Sequence, residues 1–117
     1  MAVTNEYKSY ILDLVSHIDG VAHRHMFGGV GLFLGGVMFG IITRDDNFYL
    51  RTDDLTKGDF ESAGSLPLKP RKNNPMIMSY HEVPAYVLED QDELDIWVSK
   101  AWEAAQRNNK NSNRNHQ

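Results

Sequence analysis

Residues 24–42 read RHMFGGVGLFLGGVMFGII, and how this stretch pairs decides the fold. It holds six of the nine glycines and carries no charge after Arg24. Two apolar runs flank Gly35-Gly36, which suits the two-residue primed turn of a β-hairpin, where both positions take positive φ. Val21 to Ile42 therefore reads as two strands, with Met26-Phe27-Gly28-Gly29 as the bend that leads into the pairing. With the turn at Gly35-Gly36, Leu34 faces Val37, Phe33 faces Met38, Leu32 faces Phe39, Gly31 faces Gly40 and Val30 faces Ile41. The period of two then sorts the side chains onto two faces. Val30, Leu32, Leu34, Val37, Phe39 and Ile41 form the expected core side. Gly29, Gly31, Phe33, Met38, Gly40 and Ile42 form the other, with two bare glycines opposed.

Upstream, Tyr7, Tyr10, Ile11, Leu14, Val15 and Ile18 recur at helical spacing and predict a helix over 5–18. Thr4 or Asn5 is its N-cap, and Asp19-Gly20 ends it. Downstream, the turn Arg44-Asp45-Asp46-Asn47 leads to a third strand, Phe48–Thr52. A four-residue loop pairs Ile42 with Tyr49, Ile41 with Leu50 and Gly40 with Arg51. Tyr49 and Arg51 then share the glycine face. Asp53-Asp54 caps a short helix over 55–63, stopped by Gly64. A proline-punctuated basic loop, SLPLKPRKNNP, precedes a strand at Met76–Tyr80 and one helical turn from Pro84 to Leu88. The last helix starts at Asp90, with Glu93 three residues on, and Leu94, Trp97, Val98, Ala101, Trp102 and Ala105 carry it to about Gln106.

Hairpin-linked strands with helices gathered at the ends predict an α+β fold. The expected architecture is an antiparallel sheet of about four or five strands built on a β-meander, with the N- and C-terminal helices packed mainly on one face. Residues 1–106 form one domain, and the polar tail 107–117 buries too little to order itself.

Composition narrows the function. No cysteine is present, which excludes disulfides, cysteine nucleophiles and thiolate metal sites. The longest apolar run is broken by glycines before the roughly 18 residues that a membrane span needs. The N-terminus lacks a basic start followed by an apolar core, so a cytoplasmic location and no membrane partner are expected. Net charge is −4, against the basic stripe of a protein that grips phosphates, so nucleic acid is not expected as a partner on its own.

The segment Arg24-His25-Met26-Phe27-Gly28-Gly29-Val30-Gly31 resembles the N-terminal domain of the TfoX/Sxy family, with Gly36-Val37-Met38-Phe39 matching its second glycine and strand. The likeness continues through Tyr49-Leu50-Arg51, Met78-Ser79-Tyr80, Val83-Pro84 and the closing helix, covering about residues 6–106. Arg24, Met26, Phe27, Gly28, Gly29, Gly31 and Gly36 carry the family motif. Longer members add a C-terminal helical domain and regulate natural competence in bacteria together with a transcription activator. The resemblance thus implies a regulatory module binding another protein such as a transcription factor, or a second copy of itself; with no catalytic signature in the chain, neither an enzyme nor a cofactor is expected. The chain is expected to stand alone, without that C-terminal domain.

Local chemistry supports no stronger reading. His23 and His25 share a face of a strand, a metal pair that would need His17, His81 or a carboxylate as third ligand, but no His-x-x-x-His or acidic loop accompanies them and an exposed strand edge is the expected reading. Ser79, His81 and Glu82 or Asp90 lack the context of a nucleophilic set. Gly28-Gly29-Val30-Gly31 leads into a strand instead of a helix and fails as a phosphate loop. Lys69, Arg71 and Lys72 are the basic cluster; helped by Arg107, Lys110 and Arg114, they offer the alternative of a weak nucleic-acid-binding accessory factor. Phe33, Met38, Ile42, Tyr49 and Arg51 form an expected interaction face, unless a helix bearing Trp102 covers it.

Overall fold

Two tight turns of the same kind build the first half of the sheet. Phe27 and Gly28 lie at φ 52° and 80°, and Gly35 and Gly36 at 61° and 80°, so each pair forms a primed hairpin turn. The computed structural model describes residues 4–68 and 79–115, with side chains up to residue 108. Its sheet is antiparallel throughout, in the order β1 (Val21–Met26), β2 (Gly29–Leu34), β3 (Val37–Ile42), β4 (Phe48–Thr52) and β5 (Ser79–Glu82). Met26-Phe27-Gly28-Gly29 is therefore a hairpin, and the expected single strand before Gly35 is two. The expected strand at Met76–Tyr80 falls partly on residues 69–78, outside the described residues.

The Gly35-Gly36 turn closes Leu34 onto Val37 and Phe33 onto Met38, as the sequence predicts. One residue further on, the register shifts. Leu32 pairs with Gly40, Gly31 with Ile41 and Val30 with Ile42, which leaves Phe39 as the extra residue of a β-bulge. The loop to β4 is also one residue longer than expected. Ile42 pairs with Phe48, and Thr43 donates to the Asn47 carbonyl at 2.8 Å. Gly31 and Gly40 are consequently not opposed. Ile42 enters the core, while Ile41 takes the opposite face.

The core face of the sheet carries Val30, Leu32, Phe39, Ile42, Phe48 and Leu50. Four helices feed one buried cluster with these residues: α1 (Asn5–Leu14), α2 (Lys57–Ser62), α3 (Ala85–Leu88) and α4 (Gln91–Asn115). They contribute Ile11, Phe60, Val87, and Leu94, Trp97, Val98 and Ala101 respectively. Burying a large apolar side chain stabilises by about 1.5–3 kcal/mol, so this face dominates the stability. The Phe60 and Trp97 rings meet nearly edge-on at 4.3 Å and join α2 to α4.

Two of the three expected caps are present; α2 instead starts after Thr56 without a side-chain cap, and Asp53 holds the turn before it. The Thr4 hydroxyl accepts from Tyr7 N–H at 3.2 Å, and Asp90 Oδ1 accepts from Asp92 and Glu93 N–H at 3.1 and 3.2 Å. Glu93 does not complete a reciprocal box; it accepts from the Trp97 indole N–H at 3.3 Å. Helix α1 is shorter than its apolar stripe suggests and leaves Tyr10 exposed. At the other end, α4 runs to Asn115, so residues 107–115, expected as a disordered tail, carry helical backbone. The anchor is Arg107, whose guanidinium donates to both oxygens of Asp53 at 2.7 and 3.1 Å. Among the described residues no helix is long and apolar enough to cross a membrane.

Candidate functional site

Pairing places Ala22, Arg24 and Met26 of β1 on the face opposite the core, with Gly31 and Phe33 of β2. Met38 and Ile41 of β3, and then Tyr49 and Arg51 of β4, continue that face. The buried cluster fed by the helices lies on the other side of the sheet. Trp102 does not cover this open face: its indole N–H donates to the Leu34 carbonyl at 3.1 Å, and its ring packs against the core cluster.

Each side chain on this face has an identifiable setting. The Arg24 guanidinium lies over the Phe33 ring, 4.9 Å from its centroid. A Cβ built on Gly31 would lie 2.9 Å from both Met26 Cε and Met38 Sδ, so the two methionines close over the gap that the glycine leaves. Phe33, Met38, Ile41 and Tyr49 are half-buried, accessible but packed against one another. Burial, and then the neighbouring Glu82 carboxylate, push the Tyr49 hydroxyl above its usual pKa.

Two expected members of the face do not belong to its accessible surface. Ile42 has no exposed area because the bulge and the longer loop turn it into the core. Arg51 does lie on the predicted side, but only 4% of it is exposed. Its guanidinium donates to the carbonyls of Thr52 and Ser79 and lies 5.9 Å from the centre of the Tyr80 ring. Burial lowers its pKa, and burial raises that of Tyr80 to about 12. Arg51 ties β4 to β5 and offers nothing to a partner.

Two features escape a reading of the sequence. Ile41 replaces Ile42 on the open face, and Phe27 is 77% exposed at the tip of the first hairpin. A bulky side chain at positive φ with so little packing is uncommon. The available signal was Phe-Gly between the mixed segment Val21–Met26 and the apolar run from Gly29, but phenylalanine is absent from the usual vocabulary of primed turns.

The remaining candidates resolve individually. His23 and His25 are exposed on edge strand β1, with ring centroids 6.3 Å apart, and the described residues contain no metal-binding group of three ligands. His81 is buried, yet it does not join Ser79. Its Nδ1 lies 2.9 Å from Thr52 Oγ1, and its Nε2 lies 3.5 Å from Glu61 Oε2, too long for a good hydrogen bond. With Thr52 fully buried, this chain of groups gives a substrate no access and serves to join β4, β5 and α2. Lys69, Arg71 and Lys72 lie outside the described residues, as do the side chains of Lys110 and Arg114. Arg107, their expected helper, is engaged by Asp53.

These features define a small α+β domain built on a one-sided antiparallel sheet. The family model of the TfoX N-terminal domain matches residues 13–105, and the chain belongs to that family. Arg24, Met26, Phe27, Gly28, Gly29, Gly31 and Gly36 fall within the matched region and, in the structure, lie on β1, β2 and their two turns. No curated protein matches the sequence.

Proposed function

We propose that this chain is a competence-regulator-like module that works in the cytoplasm by binding another protein through the open face of its sheet, without catalysing a reaction. The observation that carries the reading is the asymmetry of the sheet: four helices feed the core face, while Phe33, Met38, Ile41 and Tyr49 stay accessible opposite it. Aromatic residues, methionine and arginine are enriched in interface cores, and Arg24 stacked on Phe33 supplies the charged member. Membership of the TfoX N-terminal domain family supports a regulatory role, with a transcription factor as the expected partner and a second copy of the chain as the other occupant.

The test is affinity purification from the native host with the wild-type chain and with Phe33→Asp, alongside light scattering of both purified proteins. A partner or a dimer lost in Phe33→Asp, with circular dichroism unchanged, is the expected result. The same partners and the same mass in both would remove the open face from consideration. No observation in the described residues favours the nucleic-acid reading.

A further inference from the structure

The outer edge of β1 has an unusual charge environment. From Val21 to Ile42 the chain contains none of its 16 acidic residues, although its net charge is −4. Among the described residues strand β1 pairs with β2 alone and ends the sheet, and Ala22, His23, Arg24 and His25 are all exposed. Its side chains present cations or proton donors on both sides. Arg24 lies on the open face over Phe33. On the helix side, Lys8 Nζ of α1 lies 3.3 Å from His25 Nε2, and His23 stands beside His25.

The backbone parity of this edge follows from the hairpin turn. Residues flanking a two-residue primed turn exchange both backbone hydrogen bonds, so Met26 and Gly29 form such a pair. The alternation then turns Arg24 and Ala22 inward to β2, and leaves the N–H and C=O of His25, His23 and Val21 pointing outward. Six residues of strand span about 20 Å. One end carries exposed Phe27; at the other, a shallow cavity of about 360 Å³ opens between Ala22, Arg24, Phe33 and the Gly35-Gly36 turn.

We infer that β1 is an acceptor edge for an extended acidic segment of a partner protein, which adds a sixth strand beside β1, its carboxylates meeting Lys8, His23, His25 and Arg24. The inference rests on the reading of the chain as a protein-binding module and names the chemistry of the partner. A second copy of this chain paired β1 to β1 would bring two copies of Arg24 into a seam without a carboxylate between Val21 and Ile42 to answer them, and like charges across a strand pair are unfavourable. Phosphates would satisfy the cations, but would leave the outward backbone groups of His23 and His25 without strand partners. An acidic strand satisfies both.

The probe is a fluorescein-labelled octapeptide alternating glutamate and valine, titrated by anisotropy at low salt. Controls are a lysine–valine octapeptide, a glutamate–valine octapeptide N-methylated at every second residue, and a labelled DNA duplex. Binding of the acidic peptide is expected, at least about tenfold tighter than either control peptide, a difference of about 1.4 kcal/mol. Arg24→Glu weakens it by a similar factor, and so does His23→Pro, which removes an outward N–H while leaving the ladder to β2 intact. Amide exchange at His23 and His25 slows when the peptide is added.

Equal binding of the N-methylated peptide, or of the lysine peptide, overturns the inference. So does undiminished binding by Arg24→Glu, an exposed substitution that does not depend on His23→Pro folding. Tighter binding of the duplex, lost in Arg24→Glu, assigns these cations to phosphate and overturns it as well. The two failures separate cleanly. Absent peptide binding together with a partner still lost in Phe33→Asp removes the edge and keeps the open face; a partner retained in Phe33→Asp removes the open face whatever the peptide does.

Discussion

Gly29 and Gly31 lie two apart on β2 and point to the same face, yet a methyl group at each would meet different neighbours. At Gly29 it would sit 2.1 Å from the Ile42 carbonyl oxygen, which is backbone and cannot step aside without moving β3. At Gly31 the nearest atoms are the far ends of Met26 and Met38, 2.9 Å away and able to turn. Gly29→Ala is therefore expected to destabilise by about 3 kcal/mol or more, and Gly31→Ala to stay within about 1 kcal/mol of wild type, measured by urea unfolding. Equal losses at both sites would refute this account of the glycines. Phe27 gives the opposite kind of prediction. Its left-handed backbone costs about 1–2 kcal/mol for an ordinary residue, asparagine tolerates that region better, and the exposed ring gives little back. Phe27→Asn should raise stability by about 0.5–1 kcal/mol, read from the same urea curves. A loss of stability would mean that the ring is packed in solution.

At the scale of elements, the pattern of β4 was readable because Phe48-Tyr49-Leu50-Arg51 alternates strictly, so both apolar rings and chains find the core whatever pairs beside them. Ile41 and Ile42 offer no such guide. They are the same residue, and only the bulge at Phe39 together with the five-residue loop decides which faces inward. The two departures from the expected register move β3 in a way that leaves β4 correctly oriented, which is why the sheet was legible while Ile42 was misplaced. The Phe27-Gly28 hairpin was only half visible: Met26-Phe27-Gly28-Gly29 reads as a bend, but the polar segment before it does not announce a strand that pairs back. The end of α4 was illegible because its tail has no apolar period, and its anchor is a single long-range pair, Arg107 with Asp53. Asp53 also accepts from Leu55 and Thr56 N–H at 3.0 and 3.1 Å, holding the turn before α2. Asp53→Ala should thus cost about 1–2 kcal/mol through the turn and the pair together. Arg107→Ala should cost about 1 kcal/mol or less, since its side chain is more than a third exposed, and should reduce helical circular dichroism at the end of α4. The Arg107 hydrogen bonds hold the Asp53 carboxyl below its ordinary 3.8. A depressed folded-state pKa stabilises above the unfolded value and loses that contribution as pH falls through the folded one. The stability gap between wild type and Arg107→Ala should accordingly be full at about pH 6 and shrink on acidification below about pH 4. A gap independent of pH over that range would exclude the ion pair as its source.

The whole molecule is a sheet with one face committed to the core and the other accessible at Phe33, Met38, Ile41 and Tyr49 but closed at its β4–β5 end, where Arg51 and Tyr80 are buried. Sequence alternation separated these faces well enough to name Phe33, Met38 and Tyr49, but it could not see that Arg51 is absorbed between β4 and β5, because an arginine on a strand face looks the same whether it binds a partner or a backbone carbonyl. The division between faces can be tested within a single dipeptide. Leu32 is fully buried under the helices, and adjacent Phe33 is half-buried on the far side with Arg24 stacked on it. A carboxylate at position 32 must be desolvated among Phe39, Leu50 and the α4 side chains or force them apart, a loss of several kcal/mol that leaves little of a typical domain's stability. At position 33 the carboxylate reaches water and gains Arg24 as a neighbour, so the cost is limited to the ring's partial burial and its stacking, about 1 kcal/mol. Leu32→Asp is therefore expected to unfold the chain or to lower its melting temperature severely, whereas Phe33→Asp should melt within several degrees of wild type. Heat denaturation followed by circular dichroism decides it. A Phe33→Asp protein as unstable as Leu32→Asp would show that the second face is closed in solution, and the docking reading would lose the asymmetry on which it stands.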